Sequence, residues 1–240
     1  MAKVFVVGAR GRMGQLVCAQ VEANDGLELA GGFDVDNIDE LDEAAPAVDL
    51  VIDFSQPAAL PHVIAYVART GAALVSGTTG LSDDDLARLR ELGAGTRVVW
   101  ASNYSLGVAV LRKVAAEASR ALEGWNVEIV ETHHNQKADA PSGTAVALLK
   151  AVDPQAECTV VHGREGIVGA RPAREIGMHA LRGGTVAGTH EVHFFGTDEE
   201  LCLTHRAASR QIFVAGAVAC AQRLLAAEKG YHTFDELMLG

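Results

Sequence analysis

Through the first hundred residues, short apolar runs rich in β-branched side chains alternate with longer amphipathic stretches. Residues 4–7, 27–33, 50–54, 73–76 and 98–101 read as strands, and residues 13–23, 57–69 and 83–92 as helices between them. Ser82 and Asp85 form a capping-box pair at the start of the third helix, and Asp83 to Asp85 suit the positive end of its dipole. Strands and helices alternating at this spacing predict βαβ units and a parallel sheet.

Beyond Tyr104 the pattern changes. A long helix over 106–121 leads into a strand at 127–132 and then into a polar loop. Period-2 strands follow at 176–181, 189–195 and 201–205; in the second, His190, Val192 and Phe194 share one face and Glu191, His193 and Phe195 the other. The Gly/Arg-rich stretch 163–174 reads as a long loop, of a length that is usually functional or disordered. A final helix, 213–228, is apolar enough to pack back onto the first domain. The expected fold is therefore α/β: a Rossmann-type parallel-sheet domain from residues 1–104 plus 213–240, and a smaller α+β domain with an open mixed sheet from residues 105–212.

Composition narrows the function classes. Apolar residues make up 49% and charged residues 21%, the balance of an ordinary globular protein. A net charge of −11 argues against a nucleic-acid partner, although a local basic pocket can still serve an anionic substrate. Cys18, Cys158, Cys202 and Cys220 form no CxxC pair, which fits reduced thiols. The N-terminus lacks a signal-peptide layout, and the longest apolar run, 212–221, is too short to span a bilayer. These features lead us to expect a cytoplasmic protein with neither membrane nor nucleic acid as partner.

Gly8, Gly11 and Gly14 follow the first strand and open the first helix, with Asp34 at the end of the second strand. This context suits a dinucleotide: pyrophosphate on the helix N-terminus and ribose hydroxyls on Asp34. The spacing is GxxGxxG, with Arg10 at the usual second glycine position, and a merely structural turn is the competing explanation. Gly77-Thr78-Thr79-Gly80 and Ala101-Ser102-Asn103-Tyr104 follow the fourth and fifth strands. They fall on the same sheet edge, where a nicotinamide ribose would lie, or they are polar turns and no more.

The densest chemistry lies in Glu131-Thr-His133-His134-Asn-Gln-Lys137-Ala-Asp139-Ala-Pro141-Ser142-Gly143-Thr144-Ala145. A strand ends at Thr132, and two imidazoles and an ammonium follow within five positions. Ser142 is placed as the N-cap of a helix whose first turn, at Gly143 and Thr144, would offer N–H groups to a carboxylate. Adjacent histidines with no cysteine nearby make a poor metal site, and none is expected. Two surface histidines on a solvated loop would be the structural alternative.

This run resembles the signature of the 4-hydroxy-tetrahydrodipicolinate reductase (dihydrodipicolinate reductase) family. Similarity extends over nearly the whole chain: the glycine turn from Gly8 to Gly14, Val51-Ile-Asp-Phe-Ser55, Gly77-Thr-Thr-Gly80, Ser102-Asn-Tyr104, His179-Ala-Leu-Arg-Gly-Gly184, Gly188-Thr-His190 and Thr204 to Arg210 occur in the family's order. The resemblance implies an NAD(P)H-dependent oxidoreductase of the diaminopimelate route to lysine. It implies His133 as catalytic acid/base, Lys137 as proton donor, and His134 with Gly143 and Thr144 on the substrate carboxylates. Cofactor contacts would come from Gly8, Ala9, Arg10, Gly11, Arg12, Met13, Asp34, Gly77, Thr78, Thr79, Ala101, Ser102, Asn103 and Tyr104. It further implies a homotetramer built through the sheets of the substrate domain. Many relatives carry Arg directly after the acidic residue, whereas this chain has Val35, so NADH is the expected cofactor, with NADPH also admissible. Two other functions compete: an amino-acid or semialdehyde dehydrogenase on the same scaffold, which would need a catalytic cysteine or a different cradle, and a non-catalytic NAD(P)H sensor.

Overall fold

The computed structural model describes residues 1–43 and 45–240, which divide into two compact units, Met1–Ser105 with Gln211–Gly240, and Leu106–Arg210. In the first unit, β1 (Ala2–Val7), β2 (Leu27–Phe33), β3 (Leu50–Asp53), β4 (Ala73–Ser76) and β5 (Arg97–Trp100) are all parallel. A late strand, β11 (Gly230–His232), joins the outer edge of β5, giving the order β11-β5-β4-β3-β1-β2. Both β3 and β4 are buried along their whole length, as a sheet covered on both faces requires.

Helices α2 (Asp39–Glu43), α3 (Leu60–Thr70) and α4 (Asp83–Leu92) lie over a core on one face that includes Phe5, Val51, Tyr66, Leu74 and Leu89. On the sheet, α1 (Arg12–Glu22) packs against β1 and β2, and α7 (Gln211–Ala226) against β3, β4 and β5; the two helices also touch each other. The chain runs outward to β2 from β1 and then back past it to β3. This reversal opens a crevice at the carboxyl ends of the strands, the place where open α/β sheets take ligands.

The second unit contains α5 (Leu106–Ala121), β6 (Asn126–His133), α6 (Gly143–Val152), β7 (Thr159–Val161), β8 (Glu175–Arg182), β9 (Gly188–Phe195) and β10 (Glu200–Ala207). Its sheet, ordered β10-β9-β6-β8-β7, is mixed: β6, β7 and β8 run parallel, and β9 is antiparallel to both β6 and β10. One face packs on α5 and α6 through Leu111, Ile129, Leu148, Met178, Val192 and Phe194. The other face exposes Leu181 and Phe195. Burial along β9 alternates as the period-2 pattern requires.

The sequence pattern and the structure differ at several points. The stretch 57–69 divides into a single 3-10 turn, Pro57–Ala59, and α3, because Pro61 sits at a helix start of its own. The short elements α2, β7, β11 and α8 (Phe234–Leu239) were not expected. The three-residue β7 and β11 depend on pairing with β8 and β5, which no local pattern announces. The strand expected at 127–132 runs one residue further and takes His133 with it.

Candidate active site

In the first unit the site is built by close backbone approach. Gly8 has φ 79°, and a Cβ there would lie 2.6 Å from the carbonyl oxygen of Phe54. A Cβ at Gly14 would lie 1.9 Å from the carbonyl oxygen of Gly8, so α1 can seat against the turn only through glycine. The first turn of α1 carries no acidic side chain and Gly11 caps it without a side-chain bond, whereas α4 fills its own N-terminus with Asp83, Asp84 and Asp85. Next to this turn lies a cavity of about 320 Å³ bordered by Gly8, Gly11, Asp34, Val35, Ile38 and Ser55. An anion-ready helix end, an apolar wall and a carboxylate on one rim fit a dinucleotide.

Asp34 is already engaged. Its Oδ2 accepts the backbone N–H of Arg10 at 3.0 Å and lies 3.3 Å from the Arg10 Nε, while the far guanidinium nitrogen donates to Asp36 Oδ1 at 2.5 Å. The Arg10 hydrogen bond holds the Asp36 carboxyl below its ordinary range. Further along the same sheet edge, Asp53 is fully buried at the end of β3 and accepts hydroxyl hydrogens from Ser55 at 2.5 Å, Ser76 at 2.9 Å and Thr78 at 2.8 Å. Burial pushes the Asp53 carboxyl up, against these hydroxyl bonds. Asp53 thus laces together the loops after β3 and β4, and Trp100 donates from Nε1 to the Thr78 carbonyl at 2.8 Å. Tyr104 is buried and donates to the Ser76 carbonyl at 2.7 Å. Its ring and the Thr78 hydroxyl therefore hold the sheet edge together, so any contact of these two residues with a ligand would come from their backbones.

The second unit gathers its titratable groups around one carboxylate. Ile129, Glu131 and His133 alternate onto the helix-covered face of β6, and Glu131 is wholly buried there. Its Oε2 lies 2.5 Å from His133 Nδ1, and its Oε1 accepts the Ser142 backbone N–H at 3.0 Å. Arg182, the register partner of His133 on β8, donates to both oxygens at 2.9 and 2.8 Å and to the Asp139 carbonyl at 2.7 Å. Burial works to raise the Glu131 carboxyl, but the Arg182, His133 and Ser142 bonds outweigh it and hold the group below its ordinary value.

His190, paired with Glu131 across β6 and β9, is 3% exposed, and its Nε2 lies 3.1 Å from Ser142 Oγ. Its ring meets that of His133 edge-on at 5.1 Å. Burial, and then the neighbouring His133, push His190 down to about 4, so it is neutral near pH 7. Ser142 Oγ also accepts the Ala145 N–H at 3.3 Å, so one hydroxyl ties His190 to the first turn of α6.

The loop after His133 is pinned by backbone bonds from His134 N–H to the Val186 carbonyl at 2.8 Å and from Asn135 N–H to the Gly184 carbonyl at 3.2 Å. Lys137 reaches Asp139 at 2.7 Å. The loop closes on α6, capped by Ser142 with Gly143 and Thr144 in a first turn that carries no acidic residue. A Cβ on Gly143 would meet nothing within 4 Å, so the fold itself does not require glycine there. The structure thus gathers His133, His134, Lys137, Gly143 and Thr144 into one neighbourhood. Glu131, Arg182, His190 and Asp53 lie within the motifs quoted above, but sequence reasoning gave them no role. The available signal was the strand period, which places Glu131 and His133 on one face.

A group of potential metal ligands, His193, Glu200 and Cys202, lies on the opposite sheet face from His190, so it cannot serve His133. A thiol nucleophile has little support, since burial raises the Cys158 thiol and pushes Cys220 to about 12. Among the described residues, no helix is long and apolar enough to cross a membrane.

Comparison with known proteins gives a consistent picture. Residues 2–104 match the family model described as dihydrodipicolinate reductase, N-terminus, and residues 107–238 match dihydrodipicolinate reductase, C-terminus. The chain is 41% identical to a 4-hydroxy-tetrahydrodipicolinate reductase of Akkermansia muciniphila, over 99% of this chain and 98% of that one. It is 40% identical to the corresponding protein of Natronomonas pharaonis, over 97% and 98% of the two chains. Among solved structures, a dipicolinate-bound dihydrodipicolinate reductase from Paenisporosarcina sp. TG-14 superposes with a TM-score of 0.79 at 25% identity, covering 98% of each chain.

Proposed function

The chain belongs to the dihydrodipicolinate reductase family and is a pyridine-nucleotide-dependent 4-hydroxy-tetrahydrodipicolinate reductase of lysine biosynthesis; from that premise we propose how its own residues divide the work. The observation that carries the reading is the convergence of His133 and the N-cap of α6 on the buried Glu131 carboxylate, at the two ends of the loop that carries Lys137.

The first unit holds the dinucleotide: α1 N–H groups and the Gly8–Gly11 turn take the pyrophosphate, and Asp34 takes the adenosine ribose. The bound nicotinamide supplies a hydride. In the second unit, Gly143 and Thr144 N–H groups with His134 hold substrate carboxylate, a job that N–H groups at the positive end of a helix do well. Lys137 adds a positive charge that draws in a dianion and stands ready as a proton donor. His133, whose Nδ1 is committed to Glu131, exchanges protons at Nε2 and serves as acid/base. NADH is the better cofactor, because Asp34 and Asp36 present negative charge where a 2′-phosphate would lie and Arg10 is already paired with both. NADPH is admitted less readily. The exposed sheet face around Leu181 and Phe195 is the surface through which a homotetramer assembles, and the protein works in the cytoplasm.

Following nicotinamide absorbance with enzymatically generated 4-hydroxy-tetrahydrodipicolinate tests this reading. Turnover with NADH, inhibited competitively by pyridine-2,6-dicarboxylate, is expected. Tight NADH binding without turnover would instead make the protein a sensor.

A further inference from the structure

The geometry points to Glu131 as the positioning residue that fixes both the tautomer of His133 and its register against the N-terminus of α6, with Arg182 holding the carboxylate in place. The inference rests on the reading of His133 as acid/base and of α6 as the carboxylate cradle. Buried Arg–Glu pairs are common as structure alone, and a pair by itself would carry nothing further. Here the two oxygens do different things. Oε2 faces His133 Nδ1 at 2.5 Å, Oε1 takes the Ser142 N–H at 3.0 Å, and Arg182 sends one nitrogen to each. A single rigid group therefore spans from the end of β6 to the cap of α6.

The chemical consequence follows from donor and acceptor counts. An ionised carboxylate only accepts, so the neutral imidazole must carry its hydrogen on Nδ1. The lone pair, and hence the site of proton exchange, is then Nε2. That edge faces bare backbone: a Cβ on Gly188 would stand 3.1 Å from Nε2. His190 cannot take over the role of Glu131. Its Nε2 is occupied by the Ser142 hydroxyl, and its ring meets that of His133 edge-on instead of bonding to it.

Glu131→Gln separates the two duties. Its carbonyl oxygen is drawn to the Oε1 position, where Ser142 N–H and one Arg182 nitrogen donate, so the cradle keeps its register. The other Arg182 nitrogen gives up its bond at the Oε2 position and keeps the one to the Leu181 carbonyl. The side-chain amide of the variant then faces His133 and can only donate, which forces the imidazole hydrogen to Nε2. Nitrogen-15 NMR of the imidazoles, with the His133 signals assigned from their loss in His133→Gln, reads this directly. Neutral His133 should be the Nδ1–H form in the wild-type enzyme and shift to Nε2–H in Glu131→Gln. The kcat should fall at least thirtyfold, with substrate KM within threefold and NADH affinity unchanged. A wild-type His133 in the Nε2–H form overturns the proposal even if Glu131→Gln does not fold. So does a fall in kcat with the tautomer unmoved, which would be the mark of a structural pair. Full activity in His133→Gln would instead overturn the acid/base reading itself, while the tautomer shift would still report whether Glu131 sets the ring.

Discussion

Arg10 and Asp34 bind each other twice: the Arg10 backbone N–H and its Nε both reach Asp34 Oδ2, at 3.0 and 3.3 Å. With Asp36 on the other end of the same guanidinium at 2.5 Å, the cation nearest the ribose site is already spent on two carboxylates. A 2′-phosphate would have to displace one of them, and Val35, fully in solvent beside them, offers no charge. The enzyme should use NADH at least as well as NADPH in kcat/KM. A tenfold preference for NADPH would contradict this. Val35→Arg should move the ratio toward NADPH, and Asp36→Ala should do the same by freeing Arg10.

A second prediction concerns the cradle. Because a Cβ on Gly143 meets nothing within 4 Å, Gly143→Val should fold normally and retain NADH affinity. It should nevertheless raise substrate KM at least tenfold and weaken inhibition by pyridine-2,6-dicarboxylate in proportion. Equal losses for cofactor and substrate would show that the side chain disturbs the fold instead.

Gly14 makes the opposite case. A Cβ there would collide with the Gly8 carbonyl at 1.9 Å, so Gly14→Ala must push α1 off the turn. The cost should be about 1–3 kcal/mol in unfolding free energy, with NADH affinity falling alongside. Wild-type stability together with wild-type NADH affinity would mean that the glycine turn does not seat the cofactor as described.

Stability should also depend on pH through His190. Burial disfavours its imidazolium, so the unfolded chain takes up a proton near the ordinary 6.5 that the folded protein refuses until about 4. Its contribution is therefore full above pH 6.5 and is lost as pH falls from 6.5 to 4, in total up to roughly 3 kcal/mol. Urea unfolding across that range, compared with His190→Gln, isolates the effect. The variant should show a shallower decline, and parallel curves would remove His190 from the account.

Much of the fold can be read locally. The spans 27–33, 73–76, 83–92 and 106–121 coincide with β2, β4, α4 and α5, because each announces itself by an apolar run, a helical period or its own cap. The capping box of α8, Thr233 with Glu236, is an equally local signal. His133 was expected on a loop because nothing local extends the strand past Thr132. Its place in β6 depends on pairing with Arg182 of β8. The same holds for the chemistry. The motif marks His133 and Lys137, but the bond from Arg182 to Glu131 joins residues 51 positions apart and exists only once β6 and β8 are in register.

The most direct test of the central claim is steady-state NADH oxidation by His133→Gln, Lys137→Ala and the double variant. A placed acid is worth roughly 10²–10⁴-fold, so each single change should lower kcat at least tenfold while NADH binding stays unchanged. For His133→Gln the loss should fall on kcat, and Lys137→Ala should raise substrate KM as well. Near-wild-type turnover in the double variant would place the chemistry elsewhere and contradict the mechanism.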